Sequence, residues 1–187
     1  MMEKLRVDIN KVVEMLKEEN YNKVVIVHHD DADGICSASI FKKAIEEELN
    51  VKNESICLEK LYPQAIELIG ERYRESLIVF LDLGSPHAKL INSKLTLDND
   101  VIIIDHHDPQ RVESEKLKHI NPELYGFSGE SDASASTMTY LVAKSLHSGI
   151  VKYSFLAVVG SAEIPGEFKG LNLIPLNDGL KLGVVMI

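Results

Sequence analysis

Acidic and imidazole side chains gather at three places in the chain, each directly after an apolar run. The run VVIV is followed by His28, His29, Asp30, Asp31 and Asp33. The run LIVFL is followed by Asp82, and the run VIII by Asp105, His106, His107 and Asp108. If the runs are parallel strands, their carboxyl ends lie at one edge of the sheet. A single Asp after a strand often only caps the next helix. So many carboxylates together would repel one another and raise each other's pKa, and a bound multivalent cation would resolve that conflict.

The residue types also indicate which cation and which reaction. Carboxylates with a minority of imidazoles suit a hard to borderline divalent ion such as Mn²⁺, with Mg²⁺ as the alternative, better than they suit structural zinc. The ligands exceed one coordination sphere, and Asp82 could bridge two ions roughly 3.5 to 4 Å apart. Such a pair clamps a phosphoryl group and activates water. The sequence therefore predicts hydrolysis of a phosphoester or phosphoanhydride.

The elements that must position these residues alternate along the chain. Strands are predicted at 23–27, 55–58, 77–81 and 101–104. Helices are predicted from a cap at Asp8 to near Asn20, and at 35–49, 64–72, 87–95, 133–147 and 152–162, with a polar loop before the last two. Strands that are apolar at every residue and separated by helices indicate a parallel sheet covered on both faces. We expect a doubly wound α/β fold.

Length and composition narrow the class of protein. The chain has 187 residues, which fits one domain. Its formal charge of −9 gives no support for an extended phosphate-binding surface. Cys36 and Cys57 form no CxxC motif, and no apolar run reaches the roughly 18 residues of a membrane span. These features favour a cytoplasmic protein with no membrane partner. The apolar stretch 171–187 is expected either to meet a partner or to mark a cut from a longer chain.

Three short motifs resemble those of a known family. HDDADG at 29–34, LDLG at 81–84 and DHH at 105–107 resemble, in order and approximate spacing, the first three motifs of the DHH phosphoesterase superfamily. The forms DADG and HINP are most similar to its RecJ-like exonuclease branch, and the likeness covers about residues 23–165. The resemblance implies one DHH domain over 1–187 and manganese-dependent hydrolysis of phosphodiesters. It implies single-stranded DNA or RNA, short oligonucleotides or small nucleotides as substrates.

The resemblance also implies a role for each site residue. One metal ion would be held by His29, Asp31 and Asp82, and the other by Asp33, Asp82 and His106. Asp105 would orient the ligands from behind, and His107 would contact the substrate phosphate. His28, in or near the strand, is expected to be structural.

The sequence departs from the family at two places. In the segment FLAVVGSAEIPG, Glu163 stands where relatives have an Asp that completes the second metal site; the longer side chain either still binds the ion or leaves that site weak. After Gly166 nothing resembles the glycine-rich, basic C-terminal domain of catalytic relatives, so that domain is predicted to be absent. Residues 131–139 would begin a helix near the cleft, and we interpret their small side chains as packing groups rather than a phosphate site.

Four functions remain open at this level. The leading hypothesis is a RecJ-like exonuclease that uses in-line attack by a metal-bound hydroxide, without a covalent intermediate. A small-nucleotide phosphodiesterase would differ from it in oligonucleotide length preference. A catalytically reduced DHH domain could instead be a scaffold with replication or repair proteins, and Mn²⁺ would then fail to raise its melting temperature. An inorganic pyrophosphatase ranks last, since its basic substrate domain has no counterpart here.

Overall fold

Five parallel strands form the centre of the protein. A computed structural model describes residues 1–18 and 21–186. Within that part of the chain the sheet has the order β2-β1-β3-β4-β5, and its strands are Val24–His29 (β1), Asn53–Leu58 (β2), Leu77–Leu81 (β3), Asp100–Ile104 (β4) and Leu117–Ile120 (β5). The predicted doubly wound α/β fold is confirmed.

Helices cover both faces of the sheet. Their bounds are Met2–Glu18 (α1), Ala32–Glu48 (α2), Pro63–Arg72 (α3), Ala88–Leu95 (α4), Ala135–Leu146 (α5), Ser154–Ser161 (α6) and Leu173–Leu182 (α7). Helices α1, α2 and α5 share one apolar core with the sheet, whereas α3 and α4 share the core on the opposite face. No helix in the described part of the chain has the length and apolar character that crossing a membrane requires.

The sequence of the central strands follows from this double cover. Along β1, Val24 and Ile26 enter the first core, and Val25 and Val27 enter the second. Successive strand residues point to opposite faces, so a strand covered on both sides must be apolar throughout. Strand β3 is likewise buried at all five positions.

Some predicted elements differ from those observed. Strand β5 lies in the segment that the sequence indicated as a polar loop, because LKHI is short and carries two polar residues. Helix α1 begins at Met2, so Asp8 lies within it and contacts Lys11 and Tyr125 instead of capping its start. The predicted helix end near Asn20 lies outside the described residues. Cys57 is exposed although it lies in the apolar run ICL of the sequence.

The end of the chain also differs from its prediction. The predicted helix at 152–162 is a 3-10 segment, Ser148–Tyr153, followed by the shorter α6. The apolar stretch beyond it forms α7, whose side chains are only partly covered.

The strand order places a crevice where the acidic groups gather. Strands β1 and β3 are neighbours at the centre of the sheet, but their chains continue to opposite sides, to β2 and to β4. In open parallel sheets such a reversal leaves a gap beyond the carboxyl ends of the two strands, where ligands bind. His29 ends β1, Asp82 directly follows β3 and Asp105 directly follows β4, so all three lie at this gap.

Candidate metal centre

Asp82 is the central residue of the site. Its side chain is 1% exposed, and neither carboxylate oxygen has a hydrogen-bond partner among the described residues. Its backbone φ is 59°, a left-handed conformation that is uncommon for a residue other than glycine. Burial raises the pKa of Asp82 well above its usual range, with the negative charges of Asp33 and Asp105 adding to the effect and His106 opposing it. The carboxyl edge of the sheet therefore carries the buried carboxylate of Asp82, whose ionised form is energetically unfavourable because it receives no hydrogen bond.

One group of donors lies on the β1 side of Asp82. His29, Asp31 and Asp82 each offer an atom, and these atoms all lie within 4.8 Å of one another. The His29 Nδ1 is hydrogen-bonded to Asp31 and lies 3.5 Å from Asp82 Oδ2, while its Nε2 donates to the Glu59 carbonyl at 3.0 Å. Burial opposes a charge on His29, but the neighbouring carboxylates outweigh it and raise its pKa. This imidazole therefore turns one nitrogen toward two carboxylates.

A second group of donors lies on the β4 side. Atoms of Asp82, His106 and His107 lie within 4.8 Å of one another. The His106 Nδ1 donates to the Gly129 carbonyl at 2.6 Å, which turns Nε2 toward Asp82 Oδ1 at 3.4 Å and Asp33 Oδ2 at 3.9 Å. Burial works against a charge on His106, yet these contacts raise its pKa well above its usual range. A carbonyl that fixes one imidazole nitrogen leaves the other as a ligand.

Asp105 orients the histidines that follow it. Its buried carboxylate accepts hydrogen bonds from the backbone amides of Ser85 (2.8 Å) and His106 (2.7 Å) and from His107 Nδ1 (2.7 Å). Burial alone would raise the pKa of Asp105, but the hydrogen bond and charge of His107, with the Ser85 amide, lower it below its usual range. The same bond is the main cause that raises the pKa of His107, whose side chain is 48% exposed.

The carboxylates of Asp33 and Glu163 are engaged elsewhere. Asp33 accepts the backbone amides of Ala135 and Ser136, both at 2.8 Å. Glu163 is exposed and accepts the amide of Ala32 at 2.9 Å. Neither belongs to the two donor groups, although both line an acidic cavity of about 510 Å³ beside them. Their role as metal ligands stays a prediction.

Sequence reasoning missed a hydrogen-bond network behind the site. Ser85 Oγ contacts His119 Nε2 at 2.7 Å and accepts from Asn121 Nδ2 at 2.9 Å, and the same Asn121 nitrogen donates to the His107 carbonyl at 2.8 Å. Burial lowers the pKa of His119 to about 4. The signal is the HINP motif, which begins at the end of β5, whereas the sequence predicts a polar loop there.

The small polar residues at the start of α5 are structural. Four hydroxyls bond to one another or to the Ala157 carbonyl beneath the helix, namely those of Ser134, Ser136, Thr137 and Ser161. A phosphate would need the first backbone amides of α5 as donors, but these amides already donate to the Asp33 carboxylate and to the Ser134 hydroxyl. His28 is nearly buried and its Nδ1 donates to the His29 carbonyl, which agrees with the structural role expected for it.

The donor set fits divalent cations. The unpartnered oxygens of Asp82 are flanked on each side by an imidazole nitrogen that a hydrogen bond to a carbonyl orients. Oxygen and imidazole donors without thiolate are typical of Mn²⁺ and Mg²⁺ ligands. A cation would satisfy two carboxylate oxygens that receive no hydrogen bond from the described part of the protein.

The fold and these donors define the class: a doubly wound α/β domain with a candidate two-metal site at its switch point. The chain belongs to the DHH family, because residues 23–161 match the description "DHH family, N-terminal domain". The RecJ-like resemblance in the sequence is thereby confirmed at the level of family and fold.

A relative in sequence and two solved structures of similar fold resemble this chain. The uncharacterised protein MJ0831 of Methanocaldococcus jannaschii is 31% identical over 100% of this chain and 44% of its own length. The crystal structure of exonuclease RecJ bound to manganese superimposes with a TM-score of 0.74 at 19% identity, covering 95% of this chain and 47% of that one. CDC45 from Entamoeba histolytica reaches a TM-score of 0.55 at 15% identity, over 83% of this chain and 32% of its own. The chain thus spans less than half the length of each.

Proposed function

We propose that this DHH domain is a metal-dependent phosphodiesterase that hydrolyses single-stranded DNA or RNA from one end. The observation that carries the proposal is the buried, unpartnered carboxylate of Asp82 between two imidazole-containing donor groups. Membership of the DHH family and the fold shared with a manganese-bound RecJ exonuclease support it.

In this proposal His29, Asp31 and Asp82 hold one ion, and Asp82 and His106 hold the other, with Asp33 beside it. Mn²⁺ is the expected metal and Mg²⁺ the alternative. Bound divalent ions neutralise phosphoryl charge and lower the pKa of water. Glu163 would join the second ion only after it releases the Ala32 amide.

The protein's own groups would orient the substrate. His107 uses Nδ1 to bind Asp105, so its Nε2, without a partner in the described part of the chain, is free to donate to a phosphate oxygen. Its raised pKa favours the cationic form, which strengthens a hydrogen bond to an anion. Asp105 and Asn121 hold the His107 ring and backbone in place, so the donor is preorganised.

A scaffold role in a replication or repair complex is the second candidate. It is favoured by the engagement of Asp33 and Glu163 with backbone amides, which leaves the second group with fewer free carboxylates. The fold shared with CDC45 agrees with either candidate. In the scaffold case the site would bind metal weakly and would turn over no substrate.

The test is hydrolysis of 5′-phosphorylated single-stranded DNA and RNA oligonucleotides of graded length in Mn²⁺. Asp82→Asn should lower the rate at least about 100-fold, since even residues behind the ligands contribute 10- to 100-fold. The matched control is Asp108→Asn, an exposed carboxylate at the same strand end, which should keep the rate. Weak or absent Mn²⁺ binding together with no cleavage of any oligonucleotide would favour the scaffold; cleavage limited to dinucleotides would indicate a small-nucleotide phosphodiesterase.

A further inference from the structure

An apolar cavity of about 470 Å³ opens beside the candidate metal centre. On one side it reaches His29, Asp105 and His107. On the other it is lined by the loop after β2 and the turn after β3, through Leu61, Tyr62, Pro63, Leu83 and Pro86. Its volume is that of a site for one small organic group, in the usual range of about 300–1,000 Å³.

Tyr62 presents an unpartnered aromatic ring at this cavity. Its side chain is 59% exposed, and its hydroxyl has no hydrogen-bond partner in the part of the chain that the structure describes. The backbone on either side is fixed, because Leu61 is buried in the core and Pro63 begins α3. The loop is also tied to the metal centre, since His29 donates to the Glu59 carbonyl. The ring is therefore held near the reacting groups without a structural role of its own.

Charge distinguishes this cavity from its neighbour. The acidic cavity on the far side of His107 is lined by Asp31, Asp33, Glu130 and Glu163, which would repel the phosphates of a nucleic acid. The apolar cavity has Lys60 at its wall. A nucleotide whose phosphate reaches His107 would accordingly extend into the apolar cavity.

We infer that this cavity binds the nucleobase next to the scissile phosphate, stacked on Tyr62. The inference rests on the proposed function and specifies its substrate class: a phosphodiester that carries a base, as opposed to pyrophosphate or polyphosphate. Aromatic rings stack on any base, so the site would favour a base without selecting its identity.

The test is equilibrium binding of short 5′-phosphorylated oligonucleotides that carry either normal or abasic terminal residues, followed by their hydrolysis in Mn²⁺. Tyr62→Ala should weaken binding and raise KM about 5- to 100-fold for the oligonucleotide with bases, with kcat little changed. Tyr62→Phe should retain both values, and neither variant should alter the abasic substrate. Leu68→Ala, a change of an exposed α3 residue that does not line the cavity, is the control.

The outcomes separate this inference from the proposed function. Equal binding of normal and abasic oligonucleotides by the unchanged protein, or no effect of Tyr62→Ala, would overturn the inference while leaving phosphodiester hydrolysis in place. Base-dependent binding that Tyr62→Ala weakens, without hydrolysis, would support the cavity and contradict the enzymatic proposal. Absence of both binding and hydrolysis would overturn both.

Discussion

At the scale of the residue, Asp82 combines properties that are costly for a protein without a ligand. It is buried, its oxygens lack partners and its φ lies in the left-handed region. Unfavourable backbone conformations that persist in a fold cluster at functional sites. His29 and His106 approach different oxygens of Asp82, at 3.5 and 3.4 Å, so a divalent cation bound there would take the place of the protons that hold these contacts together.

This cost has a measurable consequence in the metal-free protein. Burial raises the folded-state pKa of Asp82 above its unfolded value, so the ionised side chain destabilises the fold at pH values above both. Asp82→Asn removes that charge, at the cost of a buried amide with few partners. We expect its free energy of unfolding in chelator at pH 8 to rise by about 1–3 kcal/mol. Urea unfolding checks this, and a loss of stability would contradict it; Asp108→Asn should stay within about 0.5 kcal/mol.

The sequence predicted the residues of the site better than their contacts. The proximity of His29, Asp31, Asp82 and His106 was predictable because each stands at or just after the end of an apolar strand, and the order of parallel strands brings such positions together. The bonds of Asp33 and Glu163 to backbone amides could not be predicted, because they depend on where α5 and α6 end in space. The strand-end pattern predicts that the side chains lie close together, but it does not predict which of several donors each carboxylate accepts from.

At the scale of the element, Asp33 joins two helices that are distant in sequence. It lies in the first turn of α2 and accepts the first amides of α5, which have no partner within their own helix. Gly160 of α6 packs so closely here that a Cβ at this position would lie 2.8 Å from Asp33 Oδ1. The carboxylate of Asp33 therefore lies beside the candidate metal centre and also contributes to the packing of α2, α5 and α6.

Removal of that carboxylate should destabilise the protein. Asp33→Ala leaves two buried amides without an acceptor, and hydrogen bonds to a charged group contribute about 1.5–3 kcal/mol each. We expect the free energy of unfolding to fall by about 2–4 kcal/mol, as measured by urea unfolding in the presence of chelator. Asp30→Ala, an exposed change in the same loop, is the control. A variant as stable as the unchanged protein would show that Asp33 does not support α5.

At the scale of the whole molecule, the doubly wound plan was predictable and the end of the chain was not. The alternation of apolar strands with helices predicted the parallel sheet. Strand β5 was not predicted, because it is short and has polar side chains. Helix α7 packs on α6 and is held to α5 through Asp178, which accepts from Tyr140 Oη at 2.7 Å and from Lys144 Nζ at 2.6 Å. Such a contact between two helices has no signature in local sequence.

The Asp178 contact predicts how stability depends on pH. Burial opposes ionisation of Asp178, but the bonds from Lys144 and Tyr140 outweigh it and lower its pKa below the ordinary value of 3.8. The stabilisation is therefore complete above the unfolded pKa and is lost as the pH falls through the folded pKa. Asp178→Asn should cost about 1 kcal/mol at pH 7 and progressively less below pH 4. Urea unfolding at several pH values tests this; a difference that does not change with pH would contradict the assignment.

The most direct test of the central claim is calorimetric titration of the protein with Mn²⁺. We predict binding that releases protons and strengthens from pH 6 to pH 8, because the raised pKa values of His29 and His106 make the ion compete with protons. Asp82→Asn should weaken it at least about 100-fold, whereas Asp108→Asn should bind as the unchanged protein does. Binding of equal strength to the Asp82→Asn variant, or none to the unchanged protein, would contradict a metal centre built on Asp82.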